Sequence, residues 1–476
     1  MSLDRFHALR AKFDVFSYES FHISTSAGTI ECRFNYRIQG RNTLVPLEHL
    51  VRFKGHDEPF LAITDTLFVH AVFLLGMAEG ISYWKTACPL NFTVFAGALS
   101  PEESVFWEKL YTRGLGEFYW LNGIYGHVAD DGYVRIRSSP DAPIHPTGQP
   151  ETAGCLVPVG GGKDSVVTLE LLKRLPEAYG AVTPECFLLS ARQASYDTAA
   201  IAGYGPERQT EAFRVFDPQL FRMNREGFLN GHVPYSAILG FTAVAAALLR
   251  GRRHIVLSNE GSANEPTVPG TWVNHQYSKS LEFETDFSEY IHRFLTPSVT
   301  YFSLLRPWSE ARIAMEFTRY PAYHQAFRSC NKGSRENRWC CSCPKCLFVF
   351  ILIAAHAGVP ATSTMFGKNL LEDAGLIPTL DELAGFTPVK PFECVGTVAE
   401  TRWSLERIHT DSSLPQEAPE WALLSRYREL RMTAAITETA SGFRLIEPEL
   451  ALRIPPMFLP LVLDPAEGGS FDDTRV

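Results

Sequence analysis

The sequence predicts an α/β protein with a doubly wound parallel sheet, an N-terminal α+β domain and a C-terminal mixed extension. Short apolar segments such as "CLVPV" (155–159) and "CFLLS" (186–190) alternate with helical patterns over 165–175 and 235–250. Continuous apolar strands separated by helices are typical of a parallel sheet that is covered on both faces. A further strand, "HIVLSNE" (254–260), ends in polar residues, and ligands bind past the carboxyl ends of such strands.

Composition limits the possible partners. The 476 residues are 45% hydrophobic and 20% charged, which suits two or three globular domains. The net charge of −9 gives no overall basic field, so we expect no nucleic-acid partner. The N-terminus shows no apolar signal segment. The longest apolar runs, 235–249 and 346–359, are shorter than the roughly 18–20 residues that cross a bilayer, so we predict buried helices and no membrane partner. Cysteines without a signal segment point to a reducing compartment, and we predict a cytoplasmic protein.

The order of patterns along the chain predicts several domains. Alternation on either side of "TSAGT" over 16–38 indicates two strands joined by a turn, and 65–85 indicates a buried helix. The Pro-rich stretch 138–154 cannot build a core and is typical of a linker. The predicted division is an N-terminal α+β domain (1–140), a linker (141–154), a nucleotide-binding α/β domain (155–325), a cysteine-cluster and helical segment (326–384), a C-terminal mixed region (385–463) and a tail (464–476).

The turn in "PVGGGKDS" (158–165) lies between a strand and a helix. A Walker loop is excluded because Val157 occupies its first glycine position and Asp164 follows Lys163. A dinucleotide-binding fingerprint is excluded because Ser165 stands where its last glycine belongs. The stretch resembles the pyrophosphate loop (PP-loop) of ATP pyrophosphatases, with Gly160 in place of the usual first serine. The resemblance implies a sheet of the PP-loop (HUP-like) type. A glycine turn that serves only strand–helix packing is the alternative.

Each residue type in this loop suits Mg·ATP. Glycines let backbone amides approach phosphate oxygens, and the helix N-terminus favours an anion. A lysine supplies positive charge, and a serine binds an oxygen or caps the helix. Asp164 beside phosphates requires Mg²⁺ between them. The residues predicted to bind ATP are Gly160, Gly161, Gly162, Lys163, Asp164 and Ser165. Enzymes of this type cleave ATP between the α and β phosphates.

Six further motifs narrow the family. They are "GISYWK" (80–85), "GLGEFYWLNG" (114–123), "NGHVPYSAI" (230–238), "LSNEGSAN" (257–264), "VNHQYSKSLEFE" (273–284) and "WCCSCPKCLFVF" (339–350). Together with the glycine loop they resemble the UDP-N-acetylmuramoyl-L-alanyl-L-glutamate epimerase (MurL-type) family over nearly the whole chain. The resemblance implies an isomerase that uses ATP and Mg²⁺ to adenylate the terminal glutamate of UDP-MurNAc-L-Ala-L-Glu. It inverts that glutamate for peptidoglycan precursor synthesis and releases AMP and pyrophosphate.

Two segments offer acid–base candidates. Over 273–284 the candidates are His275, Lys279, Glu282 and Glu284. On a helix, His275 and Lys279 would share a face at i, i+4; the alternative is a solvated helix face with a satisfied histidine. After the strand at 254–260, Glu260 could bind Mg²⁺ or act as a base, with helix capping as the alternative, and Asn259 and Asn264 are expected to contact substrate. His232 is a substrate contact or a cap.

Five cysteines crowd into 330–346. Cys330, Cys340, Cys343 and Cys346 have the spacing of a structural Zn²⁺ site, and a similar arrangement follows the PP-loop domain of cyano-deazaguanine synthase. Catalytic thiolates, as in two-base amino-acid epimerases, and buried reduced thiols are the alternatives. The isolated Cys32, Cys88, Cys155, Cys186 and Cys394 are predicted to be core residues.

Other functions stay open at this stage. A carboxylate ligase or amidotransferase would trap the adenylate with a nitrogen nucleophile, and a tRNA-modifying enzyme would replace an oxygen. A regulator would bind ATP without releasing pyrophosphate. The oligomeric state is unknown from the sequence.

Overall fold

The computed structural model describes residues 2–26, 28–54, 65–128, 132–175, 184–410, 421–433 and 443–463. The strands are β1 (Val15–Ser26), β2 (Thr29–Gly40), β3 (Thr43–Lys54), β4 (Asn91–Val94), β5 (Arg135–Ser138), β6 (Cys155–Pro158), β7 (Pro184–Leu189), β8 (Gln209–Phe216), β9 (His254–Leu257) and β10 (Thr300–Ser303). The helices are α1 (Ser2–Lys12), α2 (Thr66–Glu79), α3 (Ile81–Trp84), α4 (Pro101–Arg113), α5 (Gly116–Leu121), α6 (Lys163–Leu172), α7 (Gln193–Ile201), α8 (Pro218–Arg225), α9 (Tyr235–Arg250), α10 (Leu281–Phe294), α11 (Glu310–Phe317), α12 (Pro344–Ala357), α13 (Val359–Phe366), α14 (Ile377–Leu383), α15 (Val398–Thr410), α16 (Ala422–Thr433) and α17 (Pro460–Leu463). The predicted tail, 464–476, lies outside the described residues.

The described strands form one sheet in the order β10-β9-β6-β7-β8-β3-β2-β1-β4-β5. The run β10-β9-β6-β7-β8 is parallel throughout, and its chain order reverses between β6 and β9, as in doubly wound sheets. The α/β class with a largely parallel sheet is therefore confirmed. The strands β1 to β3 are antiparallel, and β4 and β5 run parallel to β1.

Both faces of the parallel run are covered. Leu156 of β6 and Ile255 of β9 lie in a core that also contains residues of α2, α9 and α10. Their neighbours Val157 and Val256 lie in a second core, with α6, α11 and α12. Successive side chains of a strand point to opposite faces, so a continuous apolar strand needs apolar partners on both sides. This burial explains why these strands show no polar alternation.

The N-terminal part shares this sheet. β3 pairs with β8 from His49–Phe216 to Lys54–Glu211, so antiparallel and parallel strands are joined edge to edge. The two strands predicted over 16–38 are confirmed as β1 and β2. The stretch 141–154 packs on both parts: His145 contacts the carbonyl of Ala96 at 3.0 Å, and the Thr152 hydroxyl donates to the carbonyl of Ser298 at 2.8 Å.

Two local predictions differ from the structure. The helix after the glycine loop begins at Lys163 instead of 165, because Gly162 is already its N-terminal cap. The proposal that His275 and Lys279 share a helical face is wrong. Tyr277–Lys279 is a single 3₁₀ turn, and α10 begins only at Leu281, where the Ser280 hydroxyl accepts a capping hydrogen bond.

Apolar helices lie in the core. Among the described residues, the helical stretch Thr66–Trp84 is long and apolar enough to cross a membrane, and nearly all of it is buried inside the protein. It packs against α9, which spans the predicted 235–250. The buried helices predicted from these apolar runs, and from the run that forms α12, are confirmed.

Candidate active site

The glycine loop and the polar loop after β9 lie on either side of the point where strand order reverses. Gly160–Gly162 follow β6, and Glu260 follows β9. Glu310 begins α11 shortly after β10, the strand beside β9. In open parallel sheets this reversal creates a crevice at the carboxyl ends of the strands. The crevice therefore contains glycine and charged residues that follow three neighbouring strands, β6, β9 and β10.

The glycine loop is tightly held on one side and open on the other. Gly161 has φ +81°, and a Cβ there would lie 2.6 Å from the backbone of Ala194 and Ser195. A Cβ at Gly160 would meet nothing within 4 Å. The carbonyl of Gly161 accepts a hydrogen bond from the Arg328 amide at 2.8 Å. Gly160 thus leaves backbone exposed, while Gly161 is needed for the turn.

Charged groups surround the start of α6. Lys163 is 2% exposed and forms ion pairs with Asp164 and Glu310. Burial alone would lower the pKa of Lys163, but these two carboxylates raise it above its usual range. The pKa of Glu310 is raised by burial and by Asp164, Glu260 and Glu400 against the opposing effect of Lys163. The crevice therefore holds an acidic cluster of four carboxylates, whose negative charge exceeds the positive charge of Lys163. Its members are Asp164, Glu260, Glu310 and Glu400.

Lys279 links this acidic cluster to a second group. Burial would lower its pKa, but Cys394, Glu260 and Asp164 raise it above the usual value. Its cationic charge therefore acts on both the carboxylates beside the glycine loop and a cysteine. The predicted candidates Glu260 and Lys279 are brought together with the glycine loop.

The second group is a row of three side chains, Glu117, His275 and Cys394. The Nδ1 atom of His275 contacts Oε2 of Glu117 in a short hydrogen bond, and Nε2 lies 3.6 Å from Sγ of Cys394. His232 Nδ1 lies 3.1 Å from the same Glu117 oxygen. One carboxylate oxygen thus holds both predicted histidines, and His275 presents its free edge to the thiol.

Opposite charges stabilise one another along this row. Burial would lower the pKa of His275, but Cys394 and Glu117 raise it to about 9. Burial would raise the pKa of Cys394, yet Lys279, Lys345 and His275 lower it to about 5. These opposite shifts favour a thiolate of Cys394 beside an imidazolium of His275 at neutral pH. His232 differs, because burial, then His275 and Lys85, lower its pKa to about 3.

The prediction that Cys394 is an isolated core residue is wrong. Its side chain is only partly buried, and it faces a histidine that is distant in sequence. Glu117 was not among the predicted residues, although it lies within the motif 114–123. Glu310 and Glu400 were missed too, since a single glutamate at the start of a helix usually serves the helix terminus.

The remaining predicted residues lie elsewhere or have local partners. Glu282 is 51% exposed and pairs with Lys109 at 2.7 Å. The buried Glu284 pairs with Arg306 at 2.7 Å. Asn259 donates to the Ser303 hydroxyl at 2.9 Å, and the Asn264 side chain accepts from the Leu281 amide at 2.7 Å. These four are not brought into the row with Cys394.

A cavity of about 890 Å³ opens beside the acidic cluster. It lies between the loop after β9, the start of α11 and the start of α15, and its size is that of a typical small-molecule site. The polar residues of its lining include Ser262, Asn264, Glu400, Arg402 and Arg444. Glu400 belongs to both the lining and the acidic cluster, so the cavity reaches the candidate site.

The four predicted metal-ligating cysteines converge. The sulfurs of Cys330, Cys340, Cys343 and Cys346 all lie within 4.8 Å of one another, with 3.7 Å between Cys340 and Cys346. Tetrahedral zinc with Zn–S bonds of about 2.3 Å requires sulfurs about 3.8 Å apart, so the geometry fits. Cys341 points away, with its sulfur 3.6 Å from the carbonyl of Phe366.

The profile of the MurL N-terminal domain matches residues 7–304, and that of the MurL C-terminal domain matches 326–436. No solved structure matches the chain significantly.

Three curated relatives carry the same name, UDP-N-acetyl-alpha-D-muramoyl-L-alanyl-L-glutamate epimerase. The one from Xanthomonas oryzae pv. oryzae is 35% identical over 74% of this chain and 77% of its own length. The Salinispora tropica protein is 34% identical over 90% and 92%, and the Micromonospora protein 32% over 92% and 97%. The family resemblance of the seven motifs is confirmed: the chain belongs to the UDP-N-acetyl-alpha-D-muramoyl-L-alanyl-L-glutamate epimerase family and is an isomerase.

Proposed function

We propose that the protein adenylates the terminal L-Glu carboxylate of UDP-MurNAc-L-Ala-L-Glu with ATP and inverts its α-carbon. The products are the D-Glu epimer, AMP and pyrophosphate, and the pathway is cytoplasmic peptidoglycan precursor synthesis. The observation that carries the proposal is the crevice itself. It joins a glycine loop of PP-loop type, through Lys279, to a histidine–cysteine pair suited to proton transfer. The names of the three relatives support the same substrate.

Adenylation has a physical purpose in this reaction. The α-hydrogen of a free carboxylate is barely acidic, since its removal would place two negative charges on neighbouring atoms. A mixed anhydride with AMP removes one of these charges and provides an acyl group that accepts the carbanion electrons. A base can then remove the proton, an acid can return it on the other face, and water can release AMP.

The residues of the glycine loop fit this role. Exposed backbone at Gly160 and the N-terminus of α6 suit phosphate oxygens, and Lys163 keeps a buried positive charge beneath them. Asp164 and Glu310 offer carboxylate oxygens, the ligands that Mg²⁺ prefers. When bound, Mg²⁺ would neutralise phosphate charge next to these carboxylates. We assign ATP and Mg²⁺ to this loop in a sheet of the PP-loop (HUP-like) type.

We also propose a structural Zn²⁺ bound by Cys330, Cys340, Cys343 and Cys346. Four sulfurs that all lie within 4.8 Å of one another support it. Cys343 caps α12, and the apolar side chains of that helix fill the second core, so the metal would anchor a core helix. Metal analysis of the purified enzyme should find about one zinc per chain. Cys343→Ser should lose it and unfold at a lower temperature; a zinc-free enzyme of unchanged stability would contradict the assignment.

The first experiment is incubation with UDP-MurNAc-L-Ala-L-Glu and Mg·ATP in D₂O. AMP release, deuterium at the glutamate α-carbon and the chirality of the hydrolysed glutamate are measured together. We expect D-Glu that carries deuterium, formed only when ATP is present. Pyrophosphate release with neither AMP release nor exchange would favour a ligase, because the mixture contains no nitrogen nucleophile to trap the adenylate. ATP binding with no release of AMP or pyrophosphate would favour a regulator.

A further inference from the structure

We propose that the sulfur of Cys394 is one of the two groups that exchange a proton with the glutamyl α-carbon, and that His275 and Glu117 position it. This inference rests on the proposed epimerisation and names a residue for its central step. The observation behind it is the row of three side chains contributed by α5, by the loop before α10 and by the segment before α15.

The contacts in the row orient His275 toward the sulfur of Cys394. Glu117 binds Nδ1 of His275, which fixes the ring and leaves Nε2 directed at Sγ of Cys394 across 3.6 Å. A base oriented by a carboxylate, beside a nucleophilic or basic atom, is the general arrangement of activated thiols. His232 contacts the same carboxylate at 3.1 Å, so Glu117 is held from two sides.

Cys394 differs from the other partly buried cysteines. The sulfur of Cys340 lies 3.7 Å from that of Cys346, within the proposed zinc site. The sulfur of Cys341 contacts a backbone carbonyl. Cys394 instead meets an imidazole, and two lysines, Lys279 and Lys345, act on it electrostatically. Proton transfer at carbon by a thiol requires the thiolate form, which cations and an imidazolium favour.

Lys279 connects this thiolate with the ATP loop. The same cation that stabilises Cys394 also interacts with Asp164 and Glu310 at the start of α6 and α11. This shared cation is the observation from which we place the α-carbon of an acyl group activated at the loop near Cys394. Among the alternative catalytic cysteines, Cys330, Cys340, Cys343 and Cys346 face one another. The sulfur of Cys341 contacts the carbonyl of Phe366.

The step balances without any oxidant or reductant. In one direction the thiolate takes the α-proton and becomes a thiol, while the C–H electron pair stays on the α-carbon and delocalises into the acyl group. A second group delivers a proton to the opposite face. The thiol then returns its proton to water, so the substrate exchanges one hydrogen with solvent in each inversion. In the reverse direction the thiol is the donor.

The test separates adenylation from inversion. Cys394→Ala and Cys394→Ser are compared with the wild-type enzyme in D₂O, with UDP-MurNAc-L-Ala-L-Glu and Mg·ATP. We expect substrate-dependent pyrophosphate release to be retained and D-Glu formation to fall by about 10²–10⁴-fold. Retained α-deuteration of the L-epimer would place Cys394 on the D-side of the carbon, and its loss would place Cys394 on the L-side. Either result supports the proposal.

Three outcomes would overturn it. They are inversion by the Cys394 variants at the wild-type rate, loss of pyrophosphate release together with inversion, and a covalent substrate adduct on Cys394 in acid-quenched wild-type enzyme. The matched control is Cys341→Ser, a partly buried thiol outside the row, which should keep full activity. If the wild-type enzyme itself forms no D-Glu, the proposed function fails and not merely this assignment.

The positioning role of Glu117 is tested with a measurement that a purely structural role would leave unchanged, the pH dependence of inversion. Glu117→Gln keeps the hydrogen bond to His275 but removes the negative charge that raises the pKa of the ring. The pH above which the rate of inversion falls should therefore be lower in the variant, while the rate of pyrophosphate release stays the same. An unchanged alkaline limit would contradict the positioning role.

Discussion

Asp164 brings one carboxylate to a crevice that also holds Glu260, Glu310 and Glu400. Its pKa is lowered, because Lys163 and then Lys279 and Lys345 outweigh the effect of burial. It is therefore ionised at neutral pH, and it lies next to the glycines that would meet phosphates. At the scale of single residues, this charge makes Asp164 the most direct test of the proposal that the glycine loop binds ATP.

We predict that Asp164→Ala abolishes AMP formation while the fold stays intact. The physical reason is the loss of a cation-binding carboxylate, since Lys163 keeps Glu310 as its partner. The assay is substrate-dependent AMP release, with circular dichroism as the check on folding. Glu282→Gln is the matched control, because Glu282 pairs with Lys109 at the surface, and it should keep full activity. Retained turnover in Asp164→Ala would refute the PP-loop assignment.

The Cys394–His275 pair predicts a bell-shaped pH profile for inversion. The groups that face the thiol are Lys279, Lys345, His275 and Glu393. Below its pKa of about 5 the thiolate of Cys394 takes up a proton, and above its pKa of about 9 the imidazolium of His275 loses one. Activity that needs both charges should be flat between these limits and fall outside them. Measurement of kcat against pH checks this, and a rise through pH 9 would contradict it.

At the scale of elements, the strand–loop–helix unit from β6 to α6 depends on one glycine conformation. Gly161 has a positive φ, and its Cα faces the backbone at the start of α7. Gly160 has open space around it, although it stands where the usual loop carries serine. The two neighbouring glycines therefore predict opposite responses to substitution.

We predict that Gly161→Ala displaces the loop and that Gly160→Ser is tolerated. A Cβ at 2.6 Å from the Ala194 backbone cannot be accommodated without movement, and the φ value adds about 1–3 kcal/mol of strain. ATP affinity and the free energy of unfolding should both fall for Gly161→Ala. Gly160→Ser should keep both or bind ATP more tightly through its hydroxyl. Equal behaviour of the two variants would contradict this account of the loop.

At the scale of the whole molecule, a buried ionic cluster joins the antiparallel and parallel parts of the sheet. Glu79 at the end of α2 is fully buried and accepts two hydrogen bonds from Arg214 of β8, at 2.7 and 2.6 Å. His49 of β3 lies 3.2 Å from the same carboxylate. Burial alone would raise the pKa of Glu79, but Arg214 and His49 lower it to about 2.

We predict that Glu79→Ala lowers the free energy of unfolding by about 3–5 kcal/mol, since it leaves a buried guanidinium unpaired. The stabilisation by Glu79 is complete above the unfolded pKa of about 4.5 and is lost as pH falls through about 2. Denaturant unfolding at neutral and acid pH measures both effects. Glu31→Gln, which breaks a partly exposed pair with Arg52 on the same sheet, is the control and should cost less than about 1 kcal/mol. Equal costs would show that burial of the cluster is unimportant.

Local sequence determined much of the architecture. Apolar runs became β6, β7, β9, α9 and α12, because a segment that is apolar on every side must be buried whatever surrounds it. The glycine turn, the strand–helix alternation and the cysteine spacing are also local. The structure has the turn between a strand and a helix, although the helix begins at Lys163 instead of 165, and the four spaced cysteines converge. The sequence motifs further specified the family, which the relatives confirm.

Only the tertiary structure decided which side chains meet. Glu117, His275 and Cys394 lie far apart in sequence, and no pattern of spacing could join them. His275 contacts the thiol of Cys394, and Lys279 acts on it electrostatically. The segment that carries them includes a 3₁₀ turn and does not form the helical face that their spacing indicated. The antiparallel pairing of β3 with β8 could not be predicted from the sequence either, because it depends on contacts between strands that are distant in the chain. Local chemistry specifies what each residue can do, and the order of the strands specifies where it does so.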